Sequence, residues 1–365
     1  MSSRHRRYLR PVLALLAITT AASCAASSPA PNGAAGTDTA AAQAAAQAAA
    51  RDRCLARAPI AAGQRLHIAS TVAPITSIVA NVAGDLADIT GLVPEGTNSH
   101  TFEPPPSVAA TLATTDIVFA NGLKLEDPTS ELAQANMPKG SALCELGTAV
   151  LPPSEYIYDF SFPQDAGKPN PHLWTNPPLA KQYAALVRDV LVSADPTNAA
   201  TYQANATAFM GRIDALDTAM RAATATLDPA QRQLLTYHDA YAYFAVEYGW
   251  KVIGAIQPSS FDEPTAQDVA KLIVQIRSSG VRAIFGSEVF PSTVLKQIGR
   301  ETGVQYVDVL RDDDLIGKPG DADHSYLGLM RFDYVTMIEA LGGNAAALIA
   351  LDVTDVAPDT SDYPQ

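Results

Sequence analysis

The chain is short of the materials that several function classes require. Three cysteines in 365 residues (Cys24, Cys54 and Cys144) are too few for a disulfide scaffold. Lys and Arg number 25 against 38 Asp and Glu, a formal charge of −13. Phosphate binding needs a basic face, so no nucleic-acid partner is expected. The N-terminal apolar run, Val12 to Ala22, is too short for a membrane-spanning helix, which needs ~20 apolar residues. No Gly-x-Gly-x-x-Gly follows the first predicted strand, and there is no His-Glu-x-x-His and no Gly-x-Ser-x-Gly. A dinucleotide enzyme, a zinc protease of that motif and a nucleophile-elbow hydrolase are thereby disfavoured. What the chain does have is 47% hydrophobic residues and enough length for two domains of about 150 residues each.

The N-terminus has its own logic. Arg4, Arg6, Arg7 and Arg10 precede the short apolar run, and Ala21-Ala22-Ser23-Cys24 follows it. A basic region, an apolar region and small residues describe a secretory signal over residues 1–23. The Cys after small residues resembles a bacterial lipobox, with Ala21 where Leu is usual. That resemblance implies cleavage before Cys24, lipid on its thiol and amine, and anchorage on the outer face of the cell membrane or a periplasmic location. Residues 24–62 read as a lipid-anchored, Ala-rich tether, because 25–52 hold no large apolar side chain from which a core could be built. Export leaves Cys54 and Cys144 in an oxidising compartment, where they are either bridged or two buried thiols.

From Arg65 onward, short apolar runs alternate with helical stretches. Leu66–Ser70, Ile89–Val93, Asp116–Ala120 and Ala142–Leu146 read as strands, with helices over Ile75–Gly84, Val108–Thr114 and Pro178–Ser193. A long helix is expected from Asn198 to Thr226, with Tyr202, Phe209, Ile213, Leu216 and Met220 at three- and four-residue steps. Beyond Asp228-Pro229 the alternation resumes. Strands are expected at Gln233–Tyr237, Lys251–Ile256, Ala283–Phe285 and Gln305–Leu310. Helices are expected at Asp239–Tyr248, Ala266–Ser278, Ser292–Thr302 and Tyr326–Leu341. The fold class is α/β: two similar lobes with mainly parallel sheets, residues 63–197 and 227–350, joined by one long rigid helix over 198–226, with an acidic tail at 351–365. Ligands of such sheets bind at the carboxyl ends of strands, so the cleft between the lobes is the natural pocket.

Three of the six histidines stand at such strand or loop ends: His100 in Gly96–Pro104, His172 in Asn170–Pro177, and His238 in Thr236–Tyr241. Asp312, Asp313 and Asp314 follow the last strand. His67 alternates within a strand and His324 lies in a polar loop. Donors this widely spaced do not resemble a zinc finger; they suit a site assembled across a fold. Each residue alone also reads as an ordinary hydrogen-bonded or solvated loop residue.

As a set, these segments resemble the metal-binding substrate-binding proteins of bacterial ABC transporters. Asn170-Pro171-His172-Leu173-Trp174-Thr175-Asn176-Pro177 is similar to that family's Asp-Pro-His-x-Trp-x-Asp-Pro turn, with Asn where acids are usual. Tyr237-His238-Asp239-Ala240-Tyr241, Glu263-Pro264-Thr265, Ile284-Phe285-Gly286-Ser287-Glu288 and Tyr326–Met330 resemble further landmarks in order. The resemblance implies a metal held by His100, His172, His238 and an Asp, here Asp313 with Asp312 as the alternative. It also implies delivery to a membrane permease, no catalytic residue and no enzymatic cofactor. Three imidazoles and a carboxylate favour Zn²⁺ as the transported ligand over Mn²⁺, which prefers more oxygen donors. A manganese binder, a surface adhesin on the same scaffold and a secreted zinc hydrolase are the alternatives. Nothing in the sequence calls for an oligomer, and a monomer is expected.

Overall fold

The computed structural model describes residues 34–257, 260–261, 264–287 and 293–364. The segment read as a secretory signal and Cys24 lie outside them, as do Glu263 and Glu288. Helix α1 spans Ala34–Cys54, followed by β1 (Leu66–Ser70), α2 (Ala73–Ala83), β2 (Ala87–Gly91), α3 (Pro106–Leu112), β3 (Ile117–Ala120), α4 (Asp127–Asn136), β4 (Ala142–Glu145) and α5 (Leu146–Val150). Then come α6 (Pro177–Ala194) and the 27-residue α7 (Ala199–Ala225). The second half holds β5 (Gln233–Thr236), α8 (Ala242–Tyr248), β6 (Lys251–Ala255), α9 (Ala266–Ser279), β7 (Ala283–Ser287), α10 (Thr293–Thr302), β8 (Gln305–Leu310), α11 (Tyr326–Ala340) and α12 (Ala346–Ile349).

The strands form two four-stranded parallel sheets, ordered β2-β1-β3-β4 and β6-β5-β7-β8. This is the expected pair of α/β lobes. In each sheet the chain's first strand lies inside, and its carboxyl end faces the next connection, the geometry that gathers loops into a ligand site. Strand β2 lies two residues earlier than its apolar run suggests. Pairing of Leu66 with Ala87 fixes the register, and the ladder continues past β2 through the N–H of Leu92 to the Ser70 carbonyl at 2.8 Å.

Helix α7 owes its length to an unbroken stretch without Pro and to one face of Tyr202, Phe209, Ile213, Leu216 and Met220, all buried. At about 1.5 Å per residue it runs ~40 Å. One continuous hydrophobic cluster includes that face together with Phe119 and Tyr183 of the first lobe and Phe285, Tyr326 and Tyr334 of the second. A single core therefore braces both lobes against the same helix.

Two segments differ from expectation. The stretch read as a tether carries α1, whose last turn packs on the body: Ala50 and Cys54 are buried, Cys54 is bonded to Cys144, and Arg51 pairs with Asp189 at 2.7 Å. The Ala-rich composition offers no apolar stripe, so attachment comes through the sulfur bridge and ion pairs. The segment read as an acidic tail adds a parallel bridge to β2. The N–H of Asp362 donates to the Ile89 carbonyl at 2.9 Å, the N–H of Gly91 donates to the Asp362 carbonyl at 2.8 Å, and Tyr363 is buried. Among the described residues, no helix is long and apolar enough to cross a membrane.

Candidate metal centre

Each histidine is placed by its local sequence. Gly96, at φ +78°, turns the chain after β2, and the backbone N–H of His100 closes an Asx turn on Asn98 at 3.0 Å. His172 sits between Pro171 and the short turn that leads into α6. Its backbone N–H and its Nδ1–H both donate to Asn170 Oδ1, at 3.1 and 2.9 Å. His238 follows β5, and its Nδ1–H donates to Gln257 Oε1 at 2.6 Å. Helix α8 starts at Ala242, later than expected, because the preceding carbonyls are taken elsewhere: Asn170 donates to the Asp239 carbonyl and Thr175 to that of Ala240.

The three rings converge. Their Nε2 atoms are 3.2 Å (His100–His172), 3.2 Å (His100–His238) and 2.9 Å (His172–His238) apart. Among the described residues this trio is the group whose donor atoms lie close enough to hold a metal ion. His172 and His238 are buried, and His100 is partly so, with the Phe261 ring stacked on it at 4.5 Å. Burial, then the neighbouring His238, holds the His100 and His172 imidazoles well below their ordinary pKa, so both are neutral at pH 7. With Nδ1 of His172 and His238 carrying the proton, their Nε2 lone pairs face each other at 2.9 Å. Lone pairs at that distance repel unless a cation sits between them. Donors bonded to one ion at about 2.0–2.1 Å stand ~3–3.4 Å apart in a tetrahedral shell, the spacing found here.

The acidic trio, whose ordinary reading is a solvated loop, is buried. Asp312 Oδ1 accepts from Ser287 Oγ at 2.7 Å; its Oδ2 has no hydrogen-bond partner and lies 3.4 Å from His238 Nε2. Asp313 Oδ2 accepts from Ser99 Oγ, and its Oδ1 is unpartnered. Burial and the Asp312 charge push Asp313 up to about 6. Asp314 Oδ2 accepts from the N–H of Gly96 at 2.7 Å. With the Trp174 indole donating to the Asp312 carbonyl at 2.8 Å, these bonds tie the loops of the two lobes together over the histidines.

Sequence reasoning did not find Gln257 or Phe261, and it touched Ser99 and Ser287 only as members of longer segments, with no role of their own. An amide or hydroxyl that fixes a neighbour has no spacing pattern of its own. Asn170, noted only as a departure from an acid, supplies the oxygen that orients His172. His67 is half exposed beside Asp88, and His324 lies elsewhere in the molecule. Asp239 Oδ2 accepts from the Ser161 N–H at 3.1 Å, an anchoring role.

The chain matches the family model described as ZnuA, zinc-uptake complex component A periplasmic, over residues 68–340. It is 29% identical over 284 residues to the iron-binding protein YfeA of Yersinia pestis, covering 78% of this chain and 89% of that one. To the manganese-binding lipoprotein MntA of Halalkalibacterium halodurans it is 24% identical over 279 residues, covering 76% and 89%. Among solved structures it resembles the Mn-bound periplasmic metal binding protein from candidatus liberibacter asiaticus, with TM-score 0.65, 27% identity and coverage of 76% and 100%. The fold is also that of the periplasmic zinc binding protein TroA from Treponema pallidum, with TM-score 0.69, 23% identity and coverage of 76% and 99%. That family is made of substrate-binding transport proteins, not enzymes. With two parallel-sheet lobes, a shared long helix and a family match spanning most of the body, the chain belongs to the metal-binding substrate-binding proteins of ABC transporters.

Proposed function

We propose that the protein captures a single Zn²⁺ ion outside the cytoplasm and hands it to an ABC permease. His100 and His172 from the first lobe and His238 from the second are the proposed ligands, with a carboxylate from the loop after β8. The observation that carries the reading is the convergence of three Nε2 atoms within 3.2 Å, two of them with the opposite ring nitrogen held by an amide oxygen. That arrangement fixes the tautomer and presents a lone pair to the metal, the usual outer support of a metal-bound imidazole.

Asp313 is the proposed fourth ligand, on the Asp-x-Leu spacing of Asp313-Asp314-Leu315. Asp312 is its competitor, since its unpartnered Oδ2 lies 3.4 Å from His238 Nε2. Nitrogen-rich donors support Zn²⁺ over Mn²⁺, because manganese prefers oxygen and lies below zinc in intrinsic affinity. The relatives are named for iron, manganese and zinc, so Mn²⁺ is the alternative cargo. Four protein donors also leave no open position for a catalytic water. We further assign lipid to Cys24, a signal to residues 1–23, lobes to 63–197 and 227–350 around the helix 198–226, and a monomeric state.

Calorimetric titration of metal-stripped protein tests the reading. One Zn²⁺ per chain, bound far more tightly than Mn²⁺, is the expected result; no zinc binding, or a preference for manganese, overturns it.

A further inference from the structure

A second polar cavity, of about 320 Å³, opens away from the three histidines, between the loop before α11 and the C-terminal segment. Asp321, His324, Asp355, Asp359 and Ser361 line it. His324 is 4% exposed. Its Nδ1–H donates to the Ile316 carbonyl at 3.1 Å, which leaves the lone pair on Nε2, and that atom is buried with no hydrogen-bond partner. A buried imidazole nitrogen without a hydrogen bond is costly, and native structures seldom leave one so without a ligand or water to meet it.

The surroundings supply negative charge. Glu95 Oε2 stands 3.9 Å from His324 Nε2, too far for a hydrogen bond but within the ~3–4 Å that separates two ligands of one ion. Asp359 accepts from the Tyr363 hydroxyl at 2.7 Å, and Asp355 accepts from Asn81 at 2.7 Å. Burial and the Asp359 charge push Asp355 up to about 6. Arg212 is nearby, but its guanidinium is engaged with Thr354 and Asp352.

We propose that His324 Nε2 and Glu95 are the direct donors of a second divalent-cation site at the edge of this cavity, with Asp355 and Asp359 of its lining reached through bridging water. Among the described residues no third donor closes tightly around His324, so water completes the shell and the site is weaker than the cleft. Mixed nitrogen, carboxylate and water donors suit Mn²⁺. The site has a structural consequence. Glu95 Oε1 accepts from the Leu315 N–H at 3.1 Å, so a cation here would brace the loop that leads to His100 against the segment after β8.

The test loads the cleft of the full chain with Zn²⁺, adds Mn²⁺ alone, and reads free Mn²⁺ by electron paramagnetic resonance. One further Mn²⁺ per chain is expected, falling to none in His324→Gln and binding more weakly in Asp359→Asn, while both variants still take up zinc in the cleft. That retained zinc uptake certifies folding. The His172→Ala chain should keep this Mn²⁺ even though its cleft is crippled, so failure of the cleft assignment and failure of this one are told apart. No Mn²⁺ uptake by the zinc-loaded wild type, or unchanged uptake in both variants, overturns the proposal.

Discussion

His172 and His238 come from different lobes, yet their Nε2 atoms stand 2.9 Å apart, and each ring is clamped from behind by a side-chain amide oxygen. The amides choose the tautomer, and the tautomer turns two lone pairs toward one point. Neither lobe alone holds that geometry, so an ion bound at this point would couple the two lobes.

Gln257 is the clearest test of that clamp. Replacing it by Leu removes the oxygen 2.6 Å from His238 Nδ1 and frees the ring to rotate or change tautomer. Zinc affinity should fall by roughly 10–100-fold, with the fold intact. A chelator-competition titration reads the change, and an unaltered affinity would show that packing alone orients His238.

Histidine identity can be checked against an internal control. His238→Ala should weaken zinc far more than His67→Ala, whose ring is half exposed beside Asp88. Equal losses in the two variants would remove His238 from the ligand set.

The carboxylate is assigned by order of effect. Asp313→Asn should cost more affinity than Asp312→Asn, although both side chains keep one unpartnered oxygen. The opposite order, measured under the same conditions, moves the ligand one position toward β8.

Protons should report the same assignment. A carboxylate raised to about 6 is substantially protonated in the metal-free protein near that pH, and the ion must displace that proton. His100 and His172 are lowered, so they compete with protons only below their ordinary range near 6.5. Calorimetry at pH 6 in buffers of different ionisation enthalpy should therefore find proton release on zinc binding. That release should shrink in Asp313→Asn. Identical release in both proteins would mean that Asp313 does not lose a proton to the metal.

The bridge between Cys54 and Cys144 closes a separation of 90 residues. Replacing both by Ser should lower unfolding stability by about 2–5 kcal/mol while leaving zinc affinity unchanged. Denaturant melts of the two proteins, compared without metal, settle the sign and size.

Much of this molecule is legible in its sequence because the relevant physics is local. The Gln305–Leu310 strand and the α7 helix follow directly from period and length. The three histidines stand out because chain turns at strand ends are where side chains can be aimed into a cleft. Other features depend on distant partners. The start of α8 is delayed by Asn170 and Thr175, which approach from the other lobe. The docking of α1 hangs on a sulfur and an arginine rather than on an apolar stripe. Three consecutive aspartates at one strand end point in different directions, and no spacing rule selects among them.

The pairing of Asp362 with Ile89 and Gly91 has a practical corollary for anyone handling the protein. Strand β2 is the rim of its sheet, and its outward amides are covered there by the chain's own final segment. Cutting the polypeptide back to residue 357 would uncover that rim and invite strand-to-strand clumping between molecules. Purification tags are better placed ahead of α1 than used to replace those last residues.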